Sequence, residues 1–140
     1  MDYEQKLVKL RNNENVLVIS ELKIYEEAPE SQDMVLLQIT IDGQKVSCKN
    51  LNFFSALLDL RRELEKNNIQ ILCNGAAKNI YPSPMQLSMG TGRVAYKQFM
   101  GQQARMADVV DIFDCDENLN FVEIEEQLKF HEEWLKSIKG

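Results

Sequence analysis

The sequence predicts an α+β fold in which a mixed or mostly antiparallel sheet with an N-terminal hairpin is covered by two main helices. Three observations lead to this prediction. An Asp42-Gly43 pair separates two β-prone runs, and apolar residues recur at helical spacing in two longer segments, 53–64 and 121–138. The remaining apolar runs do not alternate strictly with helices, which argues against a parallel βαβ sheet.

The hairpin is the element that the sequence indicates most directly. The runs 34–41 (MVLLQITI) and 44–48 (QKVSC) flank Asp42-Gly43, a pair that suits a tight turn because both turn positions require a positive φ. The apolar, β-branched run 16–25 (VLVISELKIY) predicts a strand before the hairpin, and a polar loop joins the two.

The two main helices are predicted from the spacing of apolar residues and from capping residues. Asn52 is the expected N-cap of the first helix, which ends at Asn67-Asn68. Its apolar stripe is formed by Phe53, Leu57, Leu60 and Leu64. Asn120 is the expected N-cap of the second helix, with Glu123 completing a capping box. The stripe of that helix is formed by Phe121, Ile124, Leu128, His131, Leu135 and Ile138.

The other elements are shorter. Tyr3, Leu7 and Leu10 recur at helical spacing, so the N-terminus predicts either a short amphipathic helix or a loose tail. Ser83-Pro84 predicts the start of a helix of little more than one turn, which ends at Gly90. Short strands are predicted at 69–73, 93–100 and 109–113.

Composition places the chain among globular proteins with one domain, expected over residues 1–140. The chain has 44% hydrophobic and 27% charged residues, which are ordinary globular values. No apolar run is long enough to span a membrane, and three widely spaced cysteines suit free thiols in the cytoplasm. A formal net charge of −6 argues against binding to nucleic acid. We expect a cytoplasmic protein that uses no cofactor.

Charge is unevenly distributed along the chain. Residues 66–107 contain five cations and no Asp or Glu, whereas residues 1–65 carry 8 basic and 12 acidic side chains. Residues 108–140 carry 3 basic and 10 acidic side chains. The basic, turn-rich middle predicts either a recognition surface for an anionic partner or a segment that pairs with the acidic flanks of the same chain. The sequence leaves both possibilities open.

Two motif matches have better structural explanations. The spacing of a calcium-binding loop is matched by Asp114, Asp116, Asn118, Asn120 and Glu125. Leu119 replaces the glycine that the turn of such a loop needs, and the preceding segment is predicted as a strand. A strand-to-helix connection with capping side chains is preferred, and no metal site is expected. Gly90 and Gly92 follow a helix and precede a strand, the reverse of the order in a phosphate-binding loop.

Candidate functional residues are concentrated in the central segment. Cys73 ends a strand in the acid-free region, where cations favour the reactive thiolate. Lys78, Tyr81 and Ser83 lie at or before the start of the short helix, a position that suits a carboxylate or phosphate. The candidate ligand-binding residues are Asn74, Lys78, Tyr81, Ser83, Arg93 and Lys97. His131, the only histidine, lies on an apolar stripe and is interpreted as structural.

A series of motifs runs through the middle third of the chain. It consists of CNGxxKxxYPSxM from Cys73, MGxG from Met89, AY from Ala95 and VDIF from Val110. This pattern resembles a family of small bacterial cytosolic proteins of uncharacterised activity. The resemblance implies a bacterial cytosolic setting and assigns no catalytic residue.

These observations support three functional hypotheses, none of which involves a membrane or a nucleic acid. The first is a non-enzymatic binding domain that recognises a protein partner or a small anionic ligand through residues 74–105. The second is a small enzyme that acts on an anionic substrate through Cys73 or through Lys78, Tyr81 and Ser83. The third is an immunity-type inhibitor whose acidic segment, 108–133, blocks a basic toxin.

Overall fold

The computed structural model describes residues 2–139, and its secondary structure confirms the predicted α+β class. The chain divides into two compact units: unit 1 ends at Leu72 and unit 2 begins at Cys73. The expectation of a single domain over residues 1–140 stays a prediction. No helix in the described range is both long enough and apolar enough to cross a membrane.

Unit 1 consists of one antiparallel sheet and one long helix. In chain order its elements are β1 (Glu4–Arg11), β2 (Leu17–Tyr25), β3 (Val35–Ile41), β4 (Gln44–Asn50), α1 (Phe53–Lys66) and β5 (Gln70–Ile71). The strands lie in the order β4-β3-β2-β1-β5, and each neighbouring pair is antiparallel. The helix α1 packs on one face of this sheet, so the predicted sheet and its first covering helix are confirmed.

The N-terminal segment is a strand, so the prediction of a helix or a loose tail there was wrong. β1 pairs with β2 along its whole length. Val8 and Leu10 are buried whereas Leu7 is 71% exposed, which is the two-residue alternation of a strand. The helical spacing of Tyr3, Leu7 and Leu10 was misleading because hydrogen bonding to β2 determines the conformation of this segment.

The predicted hairpin is confirmed. β3 and β4 pair up to Ile41, which lies opposite Gln44. Asp42 and Gly43 form the turn between them with φ values of 49° and 78°. Both values lie in the left-handed region, which matches the twist of a two-residue hairpin turn.

The core of unit 1 lies between the sheet and α1. The helix contributes the predicted stripe, formed by Phe53, Leu57, Leu60 and Leu64, all buried. The sheet contributes side chains from one face, among them Val8, Leu10, Leu22, Ile24, Leu37 and Ile39. The side chain of Asn52 accepts a hydrogen bond from the Ser55 N–H at 2.8 Å, and Asn68 follows the helix with φ of 58°. The predicted stripe and both ends of α1 are therefore confirmed.

Unit 2 has a smaller sheet of shorter strands and two helices, and its elements follow in chain order. They are β6 (Ile80–Tyr81), α2 (Pro84–Ser88), β7 (Val94–Lys97), β8 (Val109–Asp111) and α3 (Ile124–Ile138). The strands lie in the order β6-β7-β8 and are antiparallel. A 3₁₀ turn at Asn74–Ala76 precedes β6. The second main helix, α3, closes the described chain.

The starts of the two helices in unit 2 differ in how well the sequence predicted them. The Ser83 hydroxyl accepts a hydrogen bond from the Gln86 N–H at 3.1 Å, and the Gln86 side chain accepts one from the Ser83 N–H at 2.8 Å. This capping box confirms the start of α2. The capping box predicted from Asn120 and Glu123 was wrong, because Glu123 itself occupies the N-cap of α3 and its side chain makes no capping bond.

The inward face of α3 also differs from the predicted stripe. Gln127 and Trp134 are buried, whereas Leu128 and Leu135 are 42% and 36% exposed. The inward side is formed by Ile124, Gln127, His131, Trp134 and Ile138. This rotation of the helix follows from hydrogen bonding, because the Gln127 amide and the Trp134 indole donate to backbone carbonyls that a leucine could not satisfy.

Candidate functional site

The cations of the central segment are ion-paired within the chain. Four of them pair with the acidic C-terminal segment: Lys78 with Glu126 (3.8 Å), Arg93 with Asp111 (3.1 Å), Lys97 with Asp116 (3.0 Å) and Arg105 with Asp108 (3.1 Å). The fifth, Lys66, pairs with Glu63 at 3.1 Å. The Arg93 and Lys97 side chains are only 20% and 29% exposed. For these cations the ion pairs match the second possibility left open by the sequence, a charge match within the chain.

Asn74 links the 3₁₀ turn to the loop that follows β8. It is fully buried, and its amide Nδ2 donates to the Asp111 carbonyl oxygen at 3.0 Å and to the Asp116 carboxylate at 3.1 Å. Its Oδ1 accepts a hydrogen bond from the Asp116 N–H at 2.8 Å. These three bonds use the side chain inside unit 2, which leaves no accessible amide group for a ligand.

The loop that resembles a calcium site is held by internal contacts. The Asn74 amide, followed by the Lys97 ammonium, holds the pKa of Asp116 below its usual range. Asn118 adopts a φ of 62°, and the Asn120 carbonyl oxygen accepts a hydrogen bond from the Lys78 N–H at 2.8 Å. In residues 2–139 no group of three or more His, Cys, Asp or Glu side chains converges as metal ligands would.

The three thiols differ in accessibility. Cys73 is fully buried, so a substrate in solution does not reach it. Burial, with added repulsion from Asp59 and Glu63, raises the pKa of the Cys48 thiol to about 11. Cys115 is exposed. A buried thiol and a thiol with a raised pKa are both poor nucleophiles at neutral pH.

The side chains of Lys78, Tyr81 and Ser83 make three separate contacts. The Lys78 Nζ lies 5.9 Å from the centroid of the Phe130 ring. Tyr81 stacks on His131 with ring centroids 3.9 Å apart. The Ser83 hydroxyl caps α2. Each of the three side chains therefore has a packing or capping contact within unit 2, and their use as one substrate-binding group stays a prediction.

His131 belongs to a polar and aromatic cluster that holds α3 in unit 2. Its ring stacks on Tyr81, and its Nδ1 lies 3.0 Å from the Gln98 Nε2. The Trp134 ring follows at 6.0 Å. Burial lowers the pKa of His131, and the nearby Glu132 carboxylate opposes that shift. The neutral imidazole is therefore the form that the folded state favours.

Gln127 is a buried polar residue that the sequence analysis missed. Its side chain is 1% exposed, and its Nε2 lies 2.8 to 3.0 Å from the carbonyl oxygens of Gly75, Ala77 and Ile80. The amide therefore ties α3 to three backbone carbonyls within the segment from the 3₁₀ turn to β6. No sequence signal indicated this role, because a glutamine among Glu and Lys on an amphipathic helix is typical of a solvent-facing position.

The sheet face opposite α1 exposes large aliphatic side chains. Leu7, Leu17 and Ile19 lie on this face and are 71%, 57% and 64% exposed. Leu7 lies opposite Glu21 and Ile19 lies opposite Lys9, so Leu7 and Ile19 are diagonal neighbours across β1 and β2. We call this surface the open face, comprising Leu7, Lys9, Arg11, Leu17, Ile19, Glu21, Lys23, Lys45 and Lys49.

The open face is basic as well as apolar. It carries five cations and one carboxylate, Glu21. Arg11 lies opposite Leu17 and Lys9 opposite Ile19, so these cations border the aliphatic side chains. Among the described residues, no side-chain ion pair involves Lys9, Arg11, Lys45 or Lys49. The positive charge of the open face is thus not neutralised in the way that the charge of the central segment is.

The sequence contained a signal for the open face that was misinterpreted. The run KLVKLR, which ends β1, alternates so that Leu7, Lys9 and Arg11 lie on one side and Val8 and Leu10 on the other. The helical spacing of Tyr3, Leu7 and Leu10 in the same segment obscures this alternation in the sequence.

The exposed side of α3 carries acidic and apolar residues together. Leu128 and Leu135 are exposed and lie two helical turns apart, beside the exposed Glu125 and Glu132. We call these four residues the outer stripe of α3. Most of the residues that line a shallow depression on this side are glutamates. The outer stripe therefore presents carboxylates around two leucines.

Comparisons with known proteins assign no family to the chain. No protein-family model matches it, and no curated protein matches it. The resemblance to small bacterial proteins stays a prediction. Any assignment of function must follow from the surfaces and contacts described above.

Proposed function

We propose that this chain is a non-enzymatic protein-interaction domain that binds its partner through the open face. The observation that carries the proposal is the exposure of Leu7, Leu17 and Ile19 on a sheet face that is otherwise basic. Clustered aliphatic side chains at a surface are typical of protein interfaces. Cations around such a cluster orient the partner and increase its rate of association. The matching partner surface is apolar and acidic.

The chemistry of the open face favours a protein over a nucleic acid. Single-stranded nucleic acids bind to surfaces where bases stack on aromatic rings, whereas the most exposed apolar groups of the open face are aliphatic. The net charge of −6 also opposes accumulation of a phosphate polymer around the chain. An acidic protein segment with apolar side chains uses both the aliphatic and the cationic groups.

Recognition through residues 74–105 is a weaker proposal than recognition through the open face. Its strongest cationic candidates, Arg93 and Lys97, are ion-paired and mostly buried, and Asn74 is fully buried. An enzymatic function has less support still, because Cys73 is buried and Ser83 caps a helix. Each of these side chains is buried, ion-paired or engaged in helix capping within unit 2.

A photo-cross-linking amino acid at position 19 tests the proposal in a cell extract. Position 18 is the matched control, because Val18 is 50% exposed on the same strand and points to the opposite face. We expect a discrete cross-linked protein from position 19 and none from position 18, and we expect Leu7→Thr to reduce the yield. Equal cross-linking at both positions, or none at position 19, would contradict the proposal.

An immunity-type inhibitor is the second candidate function. The observation that favours it is the acidic outer stripe of α3, whose glutamates suit the surface of a basic toxin. The experiment compares a charge reversal on the outer stripe of α3 with the removal of aliphatic side chains from the open face. If the chain is such an inhibitor, Glu125→Lys with Glu132→Lys abolishes binding to the basic partner, whereas Leu7→Thr with Ile19→Thr leaves binding unchanged. The opposite pattern would reject the inhibitor and retain the open face.

A further inference from the structure

Two exposed surfaces of this chain have complementary chemistry. The open face presents Leu7, Leu17 and Ile19 bordered by Lys9 and Arg11. The outer stripe of α3 presents two exposed leucines bordered by two exposed glutamates. Contact between such surfaces buries apolar groups on both sides and places carboxylates beside cations. Each surface therefore has the features that the other requires of a partner.

The dimensions of the two surfaces also agree. With 15 residues, α3 is roughly 22 Å long, and strands about 4.8 Å apart make the five-stranded sheet roughly 20 Å wide. Leu128 and Leu135 are about 10 Å apart along the helix, which lets both reach the aliphatic side chains of β1 and β2. A helix on the open face repeats the layering that α1 makes on the other side of the sheet.

Pairing of identical surfaces has no such complementarity. Two open faces in contact would place Lys9 and Arg11 of one copy near the cations of the other. Two outer stripes in contact would place Glu125 and Glu132 near the carboxylates of the other copy. Like charges across an interface oppose association. A pairing between unlike surfaces is the arrangement that the charges favour.

We propose that the open face of one copy binds the outer stripe of α3 of a second copy. The inference rests on the proposed function and deepens it by naming a second copy of this chain as the partner. Because the two surfaces differ, the interface is heterologous, and each copy contributes one surface of each kind. Added salt weakens the association, because exposed charges contribute to it.

Two double variants separate the surfaces. The open-face variant carries Leu7→Thr and Ile19→Thr. Threonine is common in β-strands, so both changes remove exposed apolar area without disfavouring the strands. The stripe variant carries Leu128→Gln and Leu135→Gln, which keep good helix formers at exposed positions. Val18→Thr is the control for the sheet, since Val18 points to the opposite face.

Sedimentation velocity over roughly a 100-fold range of protein concentration measures the assembly. We expect the wild type and the Val18→Thr control to self-associate as concentration rises. Each double variant should weaken self-association by roughly 10-fold or more, because it removes two central apolar contacts. An equimolar mixture of the two variants should form a 1:1 complex, because the stripe of one and the open face of the other are intact.

A second pair of variants covers the case in which the leucine changes unfold α3. Lys9→Glu with Arg11→Glu reverses charge on the open face, and Glu125→Lys with Glu132→Lys reverses charge on the outer stripe. Lys9, Glu125 and Glu132 are exposed, and Arg11 is half-buried. We expect each variant alone to lose self-association, and their mixture to recover it, while circular dichroism shows that both are folded.

Two results overturn the inference: a wild type that stays monomeric at the highest concentration, or mixtures that do not recover association. The proposed function is tested separately by the cross-linking experiment. A monomeric wild type that still cross-links to another protein through position 19 rejects the second copy and retains the interaction domain. A monomeric wild type without a cross-link at position 19 rejects both.

Discussion

Unit 1 and unit 2 fill their interiors with different chemistry. Unit 1 buries large apolar side chains between the sheet and α1, including Leu22, Leu37, Phe53, Leu57 and Leu60. Unit 2 buries fewer large apolar side chains, among them Ile80, Ile112 and Phe113, together with the polar Asn74, Gln98 and Gln127. Burial of apolar area stabilises the first unit. The second unit depends more on satisfied hydrogen bonds and ion pairs.

This difference determines which charges are available for recognition. In unit 2, cations and carboxylates such as Lys97 and Asp116 hold loops and strands together. In unit 1 the core is apolar except for Ser20 and Arg61, and the cations of the open face lie outside it. A concentration of charge in the sequence therefore does not locate a recognition surface by itself. A recognition surface is located by the face of the sheet on which the strands place those charges.

The largest effect is expected from Gln127→Met. If this variant were as stable as the wild type, unit 2 would not depend on its buried hydrogen bonds. The substitution keeps the length of the side chain and removes the amide that donates to the carbonyl oxygens of Gly75, Ala77 and Ile80. We expect a loss of about 2–4 kcal/mol in the free energy of unfolding. Urea denaturation followed by the fluorescence of Trp134, the only tryptophan, reports on unit 2. Lys129→Met is the control, and equal losses for both variants would contradict the account.

The next largest effect is expected in the reaction rates of thiols placed on the two faces of the sheet in unit 1. The pKa of about 11 reduces the thiolate of Cys48 roughly 100-fold relative to a thiol at 9.0. Ser47 is its neighbour on β4 and points to the open face. With Cys48→Ser in place, Ser47→Cys should react with a disulfide reagent roughly 10-fold faster than Cys48 does, because the stronger nucleophilicity of a high-pKa thiolate offsets part of the difference in thiolate fraction. A Cys115→Ser background removes the exposed thiol, and similar rates at the two positions would reject an electrostatic difference between the faces.

A smaller loss of stability is expected in unit 2 when the pH is lowered. Burial lowers the pKa of His131 in the folded state, so the unfolded chain binds this proton more tightly. The contribution of neutral His131 to stability is fully present above the unfolded value near 6.5, and it decreases as the pH falls below that value. Denaturation at pH 7.5 and 5.5, followed by Trp134 fluorescence, checks this. His131→Gln should lose less stability between the two pH values, and an unchanged pH dependence would contradict the prediction.

The smallest effect concerns the pairing of a central cation. A double-mutant cycle with Lys97→Met and Asp116→Asn measures the coupling between these side chains, which lie 3.0 Å apart and are 29% and 33% exposed. We expect about 0.5–1 kcal/mol. The more exposed pair of Lys66 with Glu63 is the control and should give about 0.3 kcal/mol. A coupling of zero for Lys97 with Asp116 would mean that this charge is not used by the fold.

The sequence predicted the fold where local chemistry determines the structure. Asp42-Gly43 requires a turn, Asn52 caps α1, and Ser83 caps α2, so these elements were predicted correctly. The N-terminal strand was missed because its conformation depends on pairing with β2, a contact between segments. The rotation of α3 was missed because Gln127 is buried by acceptors that lie about fifty residues earlier in the chain.

The candidate site was harder to predict than the fold. Arg93 and Lys97 were identified as ligand-binding candidates from their charge, but only the structure shows which carboxylates lie within 3.1 Å of them. The open face was missed because Lys9 and Lys45 are far apart in the sequence and meet only through strand order. Residue types can therefore suggest chemistry, while their availability depends on long-range pairing.

The most direct test compares the stability of two triple variants by urea denaturation followed by circular dichroism. One carries Lys9→Gln, Arg11→Gln and Lys45→Gln on the open face. The other carries Lys78→Gln, Arg93→Gln and Lys97→Gln in the central segment.

The free energy of unfolding of the open-face variant should lie within about 0.5 kcal/mol of the wild-type value. The central variant should lose about 1–2 kcal/mol, because three ion pairs with the acidic segment are removed. A central variant as stable as the wild type, together with a destabilised open-face variant, would contradict the claim that the fold uses the charge of the central segment and leaves that of the open face for a partner.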